Sequence, residues 1–200
     1  MKINRKLNLV IPVETETAGI VHVHSMPIGR EVFERFYKVI ACTLTAIFED
    51  GVGRISGPRV AALMLRQETE RLAPPTDEAR AAAWEAVQTG LFGEIHRLTS
   101  ILMPGSTKGW ELVPYDEAVK RGVISADDAA EVDNALAFFT VVSSMMRGKD
   151  LDASLEGSKL WGGSTTSLNS TAYANSLTTS TEDANSGEKN QTSPPLRSTG

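Results

Sequence analysis

The 200-residue sequence has one cysteine, no long hydrophobic run and no excess of basic residues. The single cysteine, Cys42, excludes an internal disulfide framework and fits a reducing compartment. Because no run of about 18 apolar residues occurs, we expect no membrane span. With 20 Lys+Arg against 25 Asp+Glu and a formal charge of −5, the chain lacks the basic surface that sequence-independent binding of nucleic acid requires.

The N-terminus also lacks the pattern of a secretory signal. The apolar stretch after the basic residues Lys2 and Lys6 is short, and Pro12 and Glu14 interrupt it. We therefore expect a cytosolic protein.

The composition changes along the chain. Serine and threonine make up 16 of the 39 residues from Gly162 to Gly200, and large apolar residues are scarce there. Such a segment buries too little apolar surface to offset the entropy lost on ordering its backbone. We predict a folded body over residues 1–161 and a low-complexity, disordered tail over residues 162–200.

Two short runs near the N-terminus predict a β-hairpin. Leu7–Val13 alternates imperfectly and Ile20–His24 alternates cleanly, with a polar loop between them that ends at Gly19. An isolated hairpin is only marginally stable, so we expect it to pack on the helices that follow.

Apolar residues three and four apart predict helices through the rest of the body. The clearest stripe runs from Phe33 to Phe48, and this helix is expected to end at Gly51. The other predicted helices are Pro58 to about Leu72, Asp77 to about Met103, Tyr115–Arg121, and a last helix from a cap at Ser125 through Met146. The fold class is mainly α (α+β): a helical domain with a small N-terminal β-hairpin and a Ser/Thr-rich disordered tail.

Two glycines, Gly90 and Gly93, lie inside the third predicted helix. Each costs about 1 kcal/mol relative to alanine in a helix interior. Their presence indicates a close helix crossing or a kink at this point.

Three local features suggest chemistry, and each has a simpler structural interpretation. His22 and His24 share one strand face and suit two metal ligands, or they are a solvated or hairpin-facing pair. The glycine-rich Gly51–Gly57 opens a helix as a phosphate loop would, but it follows a helix and lacks the Lys-Ser/Thr of a P-loop, which favours a plain connector. Cys42 has no neighbouring base in the local sequence and is expected to be a packed apolar residue. We predict no enzymatic activity, no cofactor and no metal site.

Apolar residues near the ends of elements are candidates for contact with another protein. Methionine side chains adapt to varied helical partners, although scattered apolar residues are equally expected as core packing. The candidate contact residues are Met103, Trp110, Met145, Met146 and Trp161.

Short segments along nearly the whole chain resemble, in the same order, the tail assembly chaperones of long, non-contractile-tailed bacteriophages. The segments that carry this resemblance are Leu7–Pro12, Pro27–Glu34, Gly57–Met64, Glu94–Leu98, Phe138–Val141, Trp161-Gly162 and Thr165–Asn169.

The resemblance implies a non-enzymatic role. Lambda-type chaperones of this kind hold the tape-measure protein soluble and help tail-tube subunits to polymerise around it. They act in the host cytoplasm and are absent from the mature virion. The implied partners are the tape-measure protein and the tail-tube protein, together with self-association or a frameshifted longer form. A mainly helical body suits this role because helix-in-groove packing covers the apolar stripe of a helical client.

Two other classes of function stay open on the sequence alone. One is a structural virion component, such as a minor tail or head–tail joining protein. The other is a small regulatory or nucleotide-binding protein that uses the glycine-rich loop.

Overall fold

The computed structural model of the chain describes residues 7–49, 57–105, 109–146, 151, 154–155 and 162–177. The strands are β1 (Asn8–Thr15), β2 (Gly19–Ser25), β3 (Thr99–Pro104), β4 (Trp110–Pro114) and β5 (Ser164–Thr166). The helices are α1 (Arg30–Glu49), α2 (Gly57–Leu72), α3 (Asp77–Val87), a π-helical segment (Gln88–Phe92), α4 (Gly93–Arg97), α5 (Tyr115–Lys120) and α6 (Ala126–Met145). Residues 170–177 form a further short helix.

The predicted N-terminal hairpin is confirmed, and it forms part of a larger antiparallel sheet with the strand order β4-β3-β2-β1-β5. Ile11 lies opposite Val23, Val23 opposite Ile101, and Ile101 opposite Val113. All four side chains are buried. Because side chains alternate between the faces of a strand, this register gives the sheet one continuous apolar face. That face packs with the helices in a single core.

The mainly helical fold class is also confirmed. Helices α1, α2, α5 and α6 follow the predicted boundaries within a few residues. The predicted cap of the last helix is present, because the Ser125 side chain accepts a hydrogen bond from the backbone N–H of Asp128. Residues 135–142 of α6 are all buried, as expected for a helix that is apolar on every side and lies in the core. Among the described residues, no helix is both long and apolar enough to cross a membrane.

The third predicted helix, Asp77 to about Met103, is wrong in its last part. The helical region ends with α4, and the chain enters β3 at Thr99. The Thr99 hydroxyl donates to the Ile95 carbonyl at 2.8 Å and also lies 2.9 Å from Ser25 Oγ on β2. Pairing of β3 with both β2 and β4 therefore overrides the helical spacing of Leu98 and Leu102, which had suggested a longer helix.

The predicted close crossing is present at Gly90 but not at Gly93. A Cβ atom added to Gly90 would lie 2.6 Å from Cζ of Phe36 on α1. A Cβ atom on Gly93 would have the Gln88 carbonyl oxygen, at 3.9 Å, as its nearest neighbour. Gly90 is therefore the residue that lets α1 approach this part of the chain closely.

The first part of the predicted tail is folded, so the boundary after Trp161 is wrong for residues 162–177. Strand β5 pairs with β1, where Val10 lies opposite Ser164 and Asn8 opposite Thr166. Asn169 caps helix 170–177 by accepting a hydrogen bond from the backbone N–H of Ala172 at 2.8 Å. The rest of the predicted tail, residues 178–200, lies outside the described residues.

Helix 170–177 lies against the second face of the sheet. The carbonyl of Leu168 accepts a hydrogen bond from Asn8 Nδ2 at 2.7 Å and lies 3.0 Å from His24 Nε2. The Tyr173 ring centroid is 6.0 Å from the rings of both His22 and His24. The sheet is thus covered by helices on both faces.

Candidate protein-binding groove

The candidate contact residues from the sequence do not form one surface. Met103 lies opposite Glu111, and Pro104 lies opposite Trp110, so Met103 and Trp110 are on opposite faces of the β3–β4 hairpin. Met103 packs against the main core. Trp110 faces the other way, with its ring 5.1 Å from that of His22.

The remaining three candidates lie elsewhere. Met145 and Met146, at the end of α6, are half-buried and pack against the core. The Met146 sulfur accepts a hydrogen bond from the Ser154 hydroxyl at 3.0 Å. Trp161 lies outside the described residues.

An open groove with a volume of about 540 Å³ lies between α2, the α3–π–α4 segment and α6. The lining mixes apolar and polar side chains. The lining residues are Arg59, Ala62, Leu63, Arg66, Trp84, Gln88, Phe92, His96, Ala130, Asp133 and Asn134.

The α3–π–α4 segment supplies one wall of the groove through residues spaced four apart, Trp84, Gln88, Phe92 and His96. In an α-helix with 3.6 residues per turn, such residues drift by about 40° around the axis at each step. The π turn, closed by a hydrogen bond from the Gly93 N–H to the Gln88 carbonyl, is wider and offsets part of this drift. The wall therefore stays aligned with the groove over its whole length.

Helix α2 supplies an apolar surface at the mouth of the groove. Leu63 leaves 55% of its side chain exposed, and Ala62 lines the groove beside it. Asn134 on α6 accepts a hydrogen bond from the Ala62 backbone N–H at 3.0 Å and donates to the Ala130 carbonyl at 3.0 Å. These bonds fix α2 to α6, so the groove is built on rigid elements.

A cluster of polar side chains closes one end of the groove. His96 Nε2 lies 2.8 Å from Asp133 Oδ1, and His96 Nδ1 lies 3.4 Å from Asp116 Oδ1. The Tyr115 hydroxyl donates to the same Asp133 oxygen at 3.0 Å. Burial and then the Asp133 carboxylate raise the pKa of Tyr115 well above its usual range, so the phenol remains protonated and a donor.

The contacts of this cluster hold helices together. Both ring nitrogens of His96 face carboxylates, which leaves neither nitrogen directed at a bound molecule. Among the described residues that line the groove, none is a serine, threonine or cysteine that a His96–Asp133 pair would activate. The cluster joins α4 to α5 and α6.

The other features with possible chemistry lie away from the groove. His24 is buried and His22 is half-buried, and Tyr173 of helix 170–177 lies beside both rings, so the interpretation as a solvated pair is wrong for His24. Within the described part of the chain, no group of three or more His, Cys, Asp or Glu residues gathers at a metal-binding distance. Cys42 is half-buried in a shallow pocket beside Arg71. Of the glycine-rich loop, residues 51–56 lie outside the described residues.

Trp84 was the sequence signal for one wall of the groove. Helical periodicity alone does not identify this residue as part of a site. Trp84 shares the three- and four-residue apolar spacing of the third predicted helix, a pattern that indicates one face of an amphipathic helix. Trp84 is only half-buried and has its ring 5.8 Å from the Arg66 guanidinium. An aromatic side chain on a helix stripe does not show whether another helix covers it, so the groove became visible only in the folded chain.

The fold and the groove together define an α+β domain. It has an antiparallel sheet between helical layers and an open groove between α2, the α3–π–α4 segment and α6. No protein-family model matches the chain, and neither the curated proteins nor the solved structures gave a match.

Proposed function

We propose that this chain is a bacteriophage tail assembly chaperone that binds the tape-measure protein through the groove between α2, the α3–π–α4 segment and α6. The role is non-enzymatic: the chaperone keeps its client soluble while tail-tube subunits polymerise around it. The observation that carries the proposal is the groove itself, with a half-exposed Leu63 at its mouth. A helical client presents apolar side chains at three- and four-residue spacing, which suit such a groove.

The segments that resemble tail assembly chaperones also contribute to the groove. Gly57–Met64 contains Leu63, and Glu94–Leu98 contains His96. The segment Thr165–Asn169 contains Leu168, whose carbonyl holds helix 170–177 to the sheet. The resemblance therefore involves surface residues as well as core residues, and it supports a shared binding role.

The proposed place of action is the host cytoplasm, with the chaperone absent from the mature virion. Tail-tube protein is the second proposed partner, and a frameshifted longer form or a second copy of the chain would extend the contact. The alternative, a structural virion component, requires the chain to be present in purified particles. The chaperone proposal instead predicts that mass spectrometry of purified particles finds the chain absent or far below stoichiometric amounts.

Co-expression with the tape-measure protein tests the proposal directly. Leu63→Asp should lower client affinity by about 2 kcal/mol, more than tenfold, because a buried leucine contact is lost and a charge enters the interface. The readout is the amount of soluble client that co-purifies with the chaperone.

Ile20→Asp is the matched control, because Ile20 on β2 is also 55% exposed and does not line the groove. This variant should solubilise the client as the wild type does, and both variants should keep the wild-type melting temperature within a few degrees. Failure of the wild-type chain to increase client solubility would contradict the proposed function. Equal loss in both variants would contradict the groove as the binding surface.

A further inference from the structure

The groove carries positive charge although the whole chain is acidic, with a formal charge of −5. Arg59 and Arg66 line it from α2. Asp133 is the carboxylate among the described lining residues, and His96 and Tyr115 already occupy it. A ligand that enters the groove therefore meets two guanidinium groups and one carboxylate of the described lining, and Oδ1 of that carboxylate already contacts His96 and Tyr115.

The two arginines differ in whether their guanidinium groups already have partners among the described residues. Arg66 Nε donates to Glu70 at 2.8 Å, and its guanidinium lies 5.8 Å from the centre of the Trp84 ring. Arg59 is exposed and has no ion-pair partner among the described residues. Glu131 borders a small neighbouring cavity together with Arg59, but it forms no ion pair with it. Arg59 is thus a positive charge available to a partner.

The spacing of these groups matches one face of a helix. Arg59, Leu63 and Arg66 lie at positions i, i+4 and i+7 of α2. Residues seven apart rise by about 10.5 Å, so the arginines sit roughly two turns apart with the apolar Leu63 between them. A helix packed alongside α2 presents side chains at a similar interval.

We propose that the groove selects an amphipathic helix whose apolar stripe is flanked by acidic residues about two turns apart. This inference rests on the proposed function and adds the chemistry of the client. The apolar stripe covers Leu63 and Trp84, and the carboxylates pair with Arg59 and Arg66. Arginine suits this task because its planar fork binds a carboxylate through two hydrogen bonds. The net charge of −5 on the whole chain disfavours binding of the same acidic helix at other sites, which favours the groove.

Two synthetic helical peptides of about 18 residues, or five turns, test this selection. They share one leucine stripe, and glutamate flanks the stripe in one peptide while lysine flanks it in the other. The full chain should bind the glutamate peptide about tenfold more tightly, the effect of two partly exposed ion pairs. The preference should shrink as salt is raised, because salt screens exposed charges.

Charge reversal should transfer the preference to the lysine peptide. The variant is Arg59→Glu with Arg66→Glu, and Arg59→Gln with Arg66→Gln is a milder form expected to abolish the preference. The matched control is Arg30→Glu with Lys38→Glu, which makes the same change in net charge on the exposed surface of α1, outside the groove. This control should retain the preference for the glutamate peptide.

The outcomes separate this inference from the proposed function. Equal affinity of the wild type for both peptides, with both weakened by Leu63→Asp, would overturn the charge selection and leave helix binding in the groove intact. Loss of the preference in the Arg30 and Lys38 control would also overturn it, because net charge rather than the groove would then be responsible. Binding of neither peptide would contradict both.

Discussion

At the scale of single residues, Gly90 shows how one missing side chain positions the wall of the groove. A methyl group at Gly90 would lie 2.6 Å from the buried ring of Phe36. The resulting displacement costs about 1–3 kcal/mol in a packed core, and the upper part of this range exceeds the gain of about 1 kcal/mol in helix propensity. We therefore expect Gly90→Ala to lower the free energy of unfolding by up to about 2 kcal/mol, as measured by urea denaturation.

Gly93→Ala is the matched control three residues along the same segment. Its Cβ atom would have no neighbour closer than 3.9 Å, so only the gain in helix propensity remains. We expect an increase of about 0.5–1 kcal/mol in the free energy of unfolding. A stabilising Gly90→Ala would show that α1 and the groove wall are not in close contact.

The individual residues of the site were the features that the sequence predicted least well. The candidates Met103, Met145 and Met146 were chosen because methionine adapts to partners, and the structure packs all three against the core. The sequence does not distinguish Leu63 as a contact residue, because a leucine on an amphipathic helix is normally buried. Its exposure follows from where α3 and α6 lie relative to α2, which is a property of the folded chain.

At the scale of elements, helix 170–177 packs over two histidines whose burial favours the neutral form. His24 is 1% exposed, and its Nε2 lies 3.0 Å from the Leu168 carbonyl. Nδ1 of His22 is buried and has no hydrogen-bond partner among the described residues. Burial lowers the pKa of both side chains, although for His24 the bond to Leu168 offsets part of this. Tyr173 is the titratable group that faces them from the helix.

Acid should therefore weaken the folded state through these two histidines. With folded pKa values below the unfolded value of 6.5, the unfolded chain binds more protons once the pH falls below 6.5. The contribution of the two histidines to the free energy of unfolding is fully present above pH 6.5 and declines as the pH falls toward their folded pKa values. Each pH unit over which one extra proton is bound costs about 1.4 kcal/mol. The measurement is the free energy of unfolding in urea at about pH 7.5 and about pH 5.5.

His24→Gln separates this mechanism from general acid sensitivity. The glutamine amide is a donor that suits the Leu168 carbonyl but does not titrate, so the variant should lose less stability between the two pH values than the wild type. His96→Gln is the matched control, because it changes the third histidine, which lies on the other side of the sheet beside Asp133. An unchanged loss with acid in His24→Gln combined with His22→Gln would contradict the account.

The elements that the sequence predicted well are those with a long periodic signal. Helix α1 runs for 20 residues, and its apolar spacing is sufficient to define it. Helices α2 and α6 run for 16 and 20 residues, and Pro58 and the Ser125 cap indicate where they begin. Strand β5 has three polar residues and no period, and it forms because β1 offers an edge more than a hundred residues earlier in the chain. Strand β3 was predicted as helix because Leu98 and Leu102 continue a helical spacing. Pairing with distant strands decided both cases, and local sequence does not contain that information.

At the scale of the whole molecule, the sheet and the groove occupy different sides of one core. Helix 170–177 closes one face of the sheet, while the helices on the other face leave the groove open. Two arginines in a partly apolar groove, on a chain whose net charge is −5, favour contact of an acidic helical client at the groove over contact elsewhere. The proposed chaperone therefore offers this groove as its surface for a helical client.

The most direct test of the central claim is site-specific photo-crosslinking to the tape-measure protein. A photoreactive amino acid replaces Leu63 in one variant and Ile20 in another, since the two side chains are equally exposed at 55%. We expect a strong crosslink to the client from position 63 and little or none from position 20. A crosslink of equal strength from both positions, or none from position 63 while the client is still bound, would contradict the account.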